Sequence, residues 1–108
     1  NKPNPNTYCG FIKFLTELGG DDRAQMIYKL TGRPAEILHL TNRGTLSEGK
    51  QADVLVIDWE NLKTNENVLD PVVYPQGIED VLVNGVPVIR DGVHTGARPG
   101  GVIRRQNR

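Results

Sequence analysis

The chain has a single cysteine, Cys9, so no disulfide can form within it, and a small fold stapled by sulfur is excluded. That usage fits a reducing compartment, and the expectation is a cytoplasmic protein. Charge of one sign is also missing: 13 Lys and Arg stand against 13 Asp and Glu, for a net charge of +0. A balanced surface has no field to draw nucleic acid or an anionic membrane, so neither is an expected partner. The only basic excess, Arg104, Arg105 and Arg108, sits on the tail and reads as solvated. No apolar run approaches the ~20 residues of a membrane span. The opening Asn-Lys-Pro-Asn-Pro-Asn has no signal-peptide core, and the chain does not begin with Met; the expectation is a segment of a longer protein or a processed terminus. Metal-binding spacings are absent as well, with no His-x-His, Cys-x-x-Cys or His-Glu-x-x-His.

What is present fits one small domain of 108 residues. A chain of this size buries roughly two-thirds of its unfolded surface, enough for a core but not for a core plus a deep walled site. The first six residues read as loop. Thr7 suits an N-cap, and Phe11, Phe14, Leu15 and Leu18 follow one helical face until Gly19-Gly20. Asp21 suits the cap of a second helix, with Ala24, Ile27, Tyr28 and Leu30 as its stripe and Gly32 as its stop. Pro34 suits the first turn of a short third helix through Ala35, Ile37 and Leu38.

After Arg43-Gly44 the pattern becomes β-like. Val54–Ile57 is a continuous apolar run that reads as a strand covered on both faces, by the helices or by strands from elsewhere. Residues 60–76 form a long polar connection. Ile78–Val83 and Val86–Arg90 flank Asn84-Gly85, the favoured two-residue hairpin turn. Asp91-Gly92 is a further turn, and Val102-Ile103 adds a last short strand. The expected fold class is α+β: two to three helices, then a small, mostly antiparallel sheet.

Residue by residue, the chemistry is sparse. His39, among Ile37, Leu38 and Leu40, reads as a packed or helix-end histidine, and His94 as a surface loop residue. Cys9 lies near a helix start but has no base beside it. Asp21-Asp22 reads as a capping pair and Glu79-Asp80 as strand-edge charge; neither has a partner for acid–base work. Gly96–Gly101 is glycine-rich without the strand-to-helix context of a phosphate loop. No catalytic and no metal-ligating residue is assigned.

Four segments together carry a family resemblance. Gly44-Thr45-Leu46-Ser47-Glu48-Gly49-Lys50-Gln51-Ala52-Asp53-Val54-Leu55-Val56-Ile57-Asp58 resembles the Gly…Gly-x-x-Ala-Asp-apolar-Asp segment that closes many amidohydrolase-superfamily enzymes. Thr31-Gly32-Arg33-Pro34-Ala35-Glu36-Ile37-Leu38 resembles the helix that precedes it. Gly77-Ile78-Glu79-Asp80-Val81-Leu82-Val83-Asn84-Gly85 is similar to the family's Gly-Ile-x-x-Val-x-Val-Asn-Gly. His94-Thr95-Gly96-Ala97-Arg98-Pro99-Gly100, with Val102-Ile103-Arg104, resembles the ending of the N-acyl-D-amino-acid deacylase (D-aminoacylase) branch. Dihydroorotases and hydantoinases are the next resemblance.

The resemblance implies that residues 1–43 end a barrel part and that 44–108 are the C-terminal share of a composite β-domain. The parent would be a metal-dependent hydrolase of non-peptide C–N amide bonds. Its zinc ligands would lie on barrel strands upstream, leaving no cofactor in this part and none of its catalysis. The expected partner is the remainder of the parent chain, with self-association through exposed β surface as a further expectation. An autonomous, non-catalytic β-rich interaction module is the alternative. Related deacylases carry His-Pro-Arg-x-Tyr-Gly where this chain has Asn4-Pro5-Asn6-Thr7-Tyr8-Cys9, so Asn6 and Tyr8 are the substrate-binding candidates of the parent enzyme. Asn6 offers an amide contact in place of a charge, which implies a differently anchored substrate; the stretch read as a linker is the other possibility.

The hairpin reading is directly testable. Gly85→Ala places a Cβ at positive φ and is expected to lower the melting temperature by roughly 4–8 °C, the shift that about 1 kcal/mol produces in a domain of this size. An unchanged melting temperature would remove the hairpin.

Overall fold

A computed structural model describes residues 6–18, 21–65, 69–70 and 74–104, with side chains in the first helix described from residue 10 to residue 17. Residues 1–5, the Leu18 side chain, Gly19-Gly20, Pro71, Arg105 and Arg108 lie outside the described residues. The helical part comprises α1 (Asn6–Lys13), a wider π-wound turn (Phe14–Leu18), α2 (Arg23–Leu30) and α3 (Gly32–Ile37). The β part comprises β1 (Val54–Ile57), a 3₁₀ turn (Trp59–Asn61), β2 (Ile78–Val83), β3 (Val86–Arg90) and β4 (Val93–His94). The fold is α+β, as the patterning implied.

The helix ends differ from the sequence reading by a residue or two. α1 is already wound at Asn6, so Thr7 lies inside its first turn rather than at its cap. α2 is capped by Asp22, not Asp21: the Asp22 carboxylate accepts from the N–H of Gln25, the third helical residue, at 3.1 Å. Gly32 opens α3 instead of stopping α2, because Thr31 serves as the joint between the two. Glycine is needed there for space: a Cβ on Gly32 would lie 2.9 Å from the Tyr28 ring. α3 closes through His39, whose φ of 58° is left-handed, while the Leu40 N–H donates to the Ala35 carbonyl at 2.8 Å. This is the usual glycine-type helix ending, made here by a histidine.

The apolar stripes are less buried than their spacing suggests. Ile12 is 7% exposed, whereas Phe11, placed on the inner face by periodicity, is 73% exposed. The π-wound turn after Lys13 changes the residues per turn, so a constant i, i+3, i+4 face does not run from Phe11 to Leu18. In α2 no residue is buried, and in α3 only Gly32 and Ala35 are. Among the described residues, the fully buried apolar side chains are Ile12, Ala35 and Leu62.

The sheet is antiparallel with order β1-β2-β3-β4. Both tight turns have two residues at positive φ, Asn84 at 51° with Gly85 at 78°, and Asp91 at 52° with Gly92 at 78°. That double left-handed geometry matches the twist of the flanking strands. The second turn returns the chain beside Ile89 and Arg90, so the fourth strand is Val93–His94 rather than Val102-Ile103. Residues 97–104 have no regular structure, and Val102 is 84% exposed. The connection after β1 is pinched at its base, where Lys63 and Gln76 exchange backbone hydrogen bonds of 2.9 and 2.8 Å.

Among the described residues β1 is not covered on both faces, so the helices do not supply the cover that its apolar run calls for. Among these residues β1 pairs with β2 alone and forms one edge of the sheet, with Leu55 52% and Val56 45% exposed. The helices touch the β part elsewhere: the Arg23 guanidinium lies 4.8 Å from the centre of the Trp59 ring. Gly44, with φ 96°, passes against α3 so closely that a Cβ would lie 2.5 Å from Ala35 Cβ. This is where the helical segment meets the start of the β segment.

Gly44→Ala is therefore expected to lower stability by about 2–3 kcal/mol, combining backbone strain with the clash. Gly49→Ala, at φ 83° with nothing within 4 Å, loses only the backbone part, about 1 kcal/mol. Denaturant midpoints compare the two variants; equal midpoints would contradict the close approach of Gly44 to α3.

Candidate functional site

The strongest polar constellation joins the end of the helical segment to the first hairpin turn. Arg43 Nη1 donates to Asp53 Oδ2 at 2.6 Å, and Arg43 Nη2 donates to Asn84 Oδ1 at 3.3 Å. The other Asp53 oxygen, Oδ1, accepts from the Asn84 backbone N–H at 2.9 Å. Asn84 Nδ2 donates to the Pro99 carbonyl at 2.9 Å, and the Gly85 N–H donates to the Ala52 carbonyl at 2.8 Å. One arginine, one carboxylate and one carboxamide thus hold together four stretches of chain. The Arg43 and Asp53 side chains are 18% and 36% exposed, so the ion pair is half-shielded. Such an arrangement fixes geometry; it presents no free nucleophile or base.

The same device recurs at the second turn. Asp80 Oδ1 accepts from the Asp91 N–H at 2.9 Å, and the Gly92 N–H donates to the Glu79 carbonyl at 2.8 Å. Ala52-Asp53 clamps Asn84-Gly85 as Glu79-Asp80 clamps Asp91-Gly92. Glu79-Asp80 is therefore a turn clamp and not merely strand-edge charge. The sequence signal was an Asp just ahead of or inside a strand and a matching Asx-Gly turn, but nothing local pairs the two.

An open cleft of about 360 Å³ lies beside this junction, lined among others by Glu36, His39, Thr41, Arg43 and Lys50. Its charges are engaged: Glu36 by Arg33 at 3.5 Å and Tyr28 at 2.8 Å, and Lys50 by the Thr45 hydroxyl at 2.8 Å. The bond from the Tyr28 hydroxyl to the Glu36 carboxylate raises the phenol above its ordinary range. A smaller cleft of about 250 Å³ lies between Leu15, Thr16, Arg23, Trp59 and Leu62.

Among the described residues the singled-out side chains form no common site. Asn6 and Tyr8 lie on α1, and their side chains, like that of Cys9, are outside the described residues. His39 forms the end of α3. His94 is on the exposed edge strand β4 rather than in a loop. The glycine-rich Gly96–Gly101 leads into no helix; instead Thr95 Oγ1 bonds back to the Pro87 carbonyl at 2.7 Å. Among the described residues no three His, Cys, Asp or Glu side chains come together as metal ligands.

With this geometry established, the family follows from comparison. A model described as the amidohydrolase family matches residues 13–89. The chain belongs to the amidohydrolase family. It is 36% identical over 106 residues to an N-acyl-D-aspartate deacylase of Alcaligenes xylosoxydans xylosoxydans, covering 94% of this chain and 21% of that protein. It is 31% identical over 108 residues to a D-aminoacylase of the same organism, covering 96% of this chain and 22% of that protein. A crystal structure of D-aminoacylase, described as defining a novel subset of amidohydrolases, superposes with a TM-score of 0.81 at 29% identity, over 88% of this chain and 21% of that one. This amidohydrolase chain thus spans about a fifth of the length of the relatives it matches. Another study of D-aminoacylase describes a binuclear metal centre in that enzyme. The described residues here offer no donor set that fits such a centre.

The Arg43–Asp53 pair has a measurable role. A double-mutant cycle of Arg43→Ala and Asp53→Ala is expected to give a coupling of about 1 kcal/mol, the upper end for a partly exposed pair. A coupling near zero would mean that the contact does not hold the junction in solution.

Proposed function

We propose that this chain is the C-terminal part of a metal-dependent amidohydrolase that hydrolyses non-peptide C–N amide bonds in the manner of an N-acyl-D-amino-acid deacylase. The observation that carries this reading is that nearly the whole chain aligns with about a fifth of each relative. Residues 1–43 are read as the end of the barrel part, and 44–108 as the C-terminal share of the β-domain. The remainder of the parent supplies the zinc site, the catalytic groups and the cover for β1. Asn6 and Tyr8 are read as substrate-facing in the assembled enzyme, which is read as cytoplasmic.

Packing supports the reading. With Ile12, Ala35 and Leu62 as its fully buried apolar side chains, the described chain leaves Phe11, Ile37, Leu46, Leu55, Val93 and Val102 each at least half exposed. Its radius of gyration of 15.0 Å exceeds the roughly 13 Å of a compact domain near this size. Exposed apolar surface of this extent marks a surface that another element covers. β1 adds an open backbone edge, which a further strand would satisfy.

The test compares the 108-residue chain with the protein encoded by its complete reading frame. The longer protein is expected to contain zinc by metal analysis and to release the amino acid from N-acyl-D-amino acids. The chain alone is expected to do neither and to bind dyes that report exposed apolar surface. Turnover or stoichiometric zinc in the 108-residue chain would overturn the proposal. Cleavage of cyclic amides but not N-acyl-D-amino acids by the longer protein would replace the deacylase reading with a hydantoinase-like one.

A further inference from the structure

The two clamped turns are built alike, but only one carries an asparagine followed by glycine. Glycine has no side chain to shield its nitrogen, so an Asn-Gly bond is the sequence context in which that nitrogen reaches the asparagine carboxamide most readily. Gly85 is solvent-exposed, as the attack and the later hydrolysis require. We propose that Asn84-Gly85 is a self-modification site, an asparagine that deamidates with water as co-reactant, and that the clamp around it sets the rate.

The chemistry is balanced within the turn. The Gly85 nitrogen, losing its proton, attacks Asn84 Cγ. A C–N bond forms and closes a succinimide, the Cγ–Nδ2 bond breaks, and ammonia leaves carrying that proton. Water then opens the ring at either carbonyl, leaving aspartate or isoaspartate at position 84.

Every group in the first step is engaged elsewhere in the folded chain. The nucleophile is turned toward Ala52, its N–H donating to that carbonyl at 2.8 Å. The carboxamide is held at both ends, its oxygen by Arg43 at 3.3 Å and its nitrogen by the Pro99 carbonyl at 2.9 Å. The Asn84 N–H is fixed on Asp53 at 2.9 Å, and the backbone is held at φ 51°. Reaction therefore requires the turn to open, and its rate follows the population of that local opening. Conversion replaces the Nδ2 donor by an oxygen, so the hold on the Pro99 carbonyl is lost while Thr95 keeps its bonds to the Pro87 and Val88 carbonyls.

The experiment follows amide-to-acid conversion at Asn84 by peptide-mapping mass spectrometry, with isoaspartate detection, on the 108-residue chain held at mildly alkaline pH. Conversion in native buffer is expected to be at least about tenfold slower than in concentrated urea. Arg43→Ala and Asp53→Ala are each expected to raise the native rate about tenfold, equivalent to about 1.4 kcal/mol of opening free energy. Asp80→Ala, which opens only the second turn, serves as the control: it is expected to raise amide exchange at Gly92 and leave Asn84 unchanged. Equal rates in buffer and urea would overturn the proposal. So would an unchanged rate in Asp53→Ala, or an equal acceleration by Asp80→Ala, which would mean that general loosening rather than the clamp governs the site.

Discussion

Asp53 makes two commitments with one carboxylate. One oxygen takes the guanidinium of Arg43 and the other takes the backbone N–H of Asn84. Through the first, the segment that follows α3 is tied to the start of β1. Through the second, β1 is tied to the turn between β2 and β3, so the register of the sheet is set at the end where the helices join it. A carboxylate can do this because it accepts from two directions without needing a donor of its own, and charge assistance shortens both bonds. Asn84 extends the hold to the tail through Pro99. The helical and β segments also meet where Gly44 approaches Ala35, where the Gln51 N–H donates to the Asn42 carbonyl at 2.8 Å, and where Arg23 lies over Trp59.

That junction gives the Ala-Asp segment ahead of the apolar run a partner far along the chain. The aspartate starts a strand, but its geometry answers to an Asn-Gly turn 31 residues further on. Two of the four segments that carry the family resemblance are in contact in space, and each supplies half of one clamp. The repetition of the device by Glu79-Asp80 at Asp91-Gly92 shows that it is a general solution for pinning a left-handed turn against the preceding strand.

The distribution of apolar surface bears on how the chain behaves. Hydrogen bonding is well satisfied among the described residues, with no buried side-chain nitrogen or oxygen left unpartnered. Hydrophobic burial is not comparably developed. Local structure, turns and clamps are thus present without the large core that usually accompanies them, and the open edge of β1 with Leu55 and Val56 is the clearest instance. Secondary structure here follows backbone geometry and polar closure more than it follows collapse.

Local chemistry was enough to place much of this. Asn84-Gly85 and Asp91-Gly92 dictate left-handed turns, the apolar runs dictate β1, β2 and β3, and the order of segments places the chain in the amidohydrolase family. These are decided by neighbours in sequence, because φ restrictions and side-chain alternation act over a few residues. The tertiary structure alone decided the rest. Which aspartate capped α2, that Gly32 makes room for Tyr28, and that His39 closes α3 depend on which atoms approach in space. The π-wound turn broke the periodicity that pointed Phe11 inward. The partnership of Asp53 with Arg43 and Asn84 spans residues that no local pattern connects. Whether an apolar strand is covered is likewise a property of its neighbours, and for β1 the one neighbouring strand within the described residues is β2.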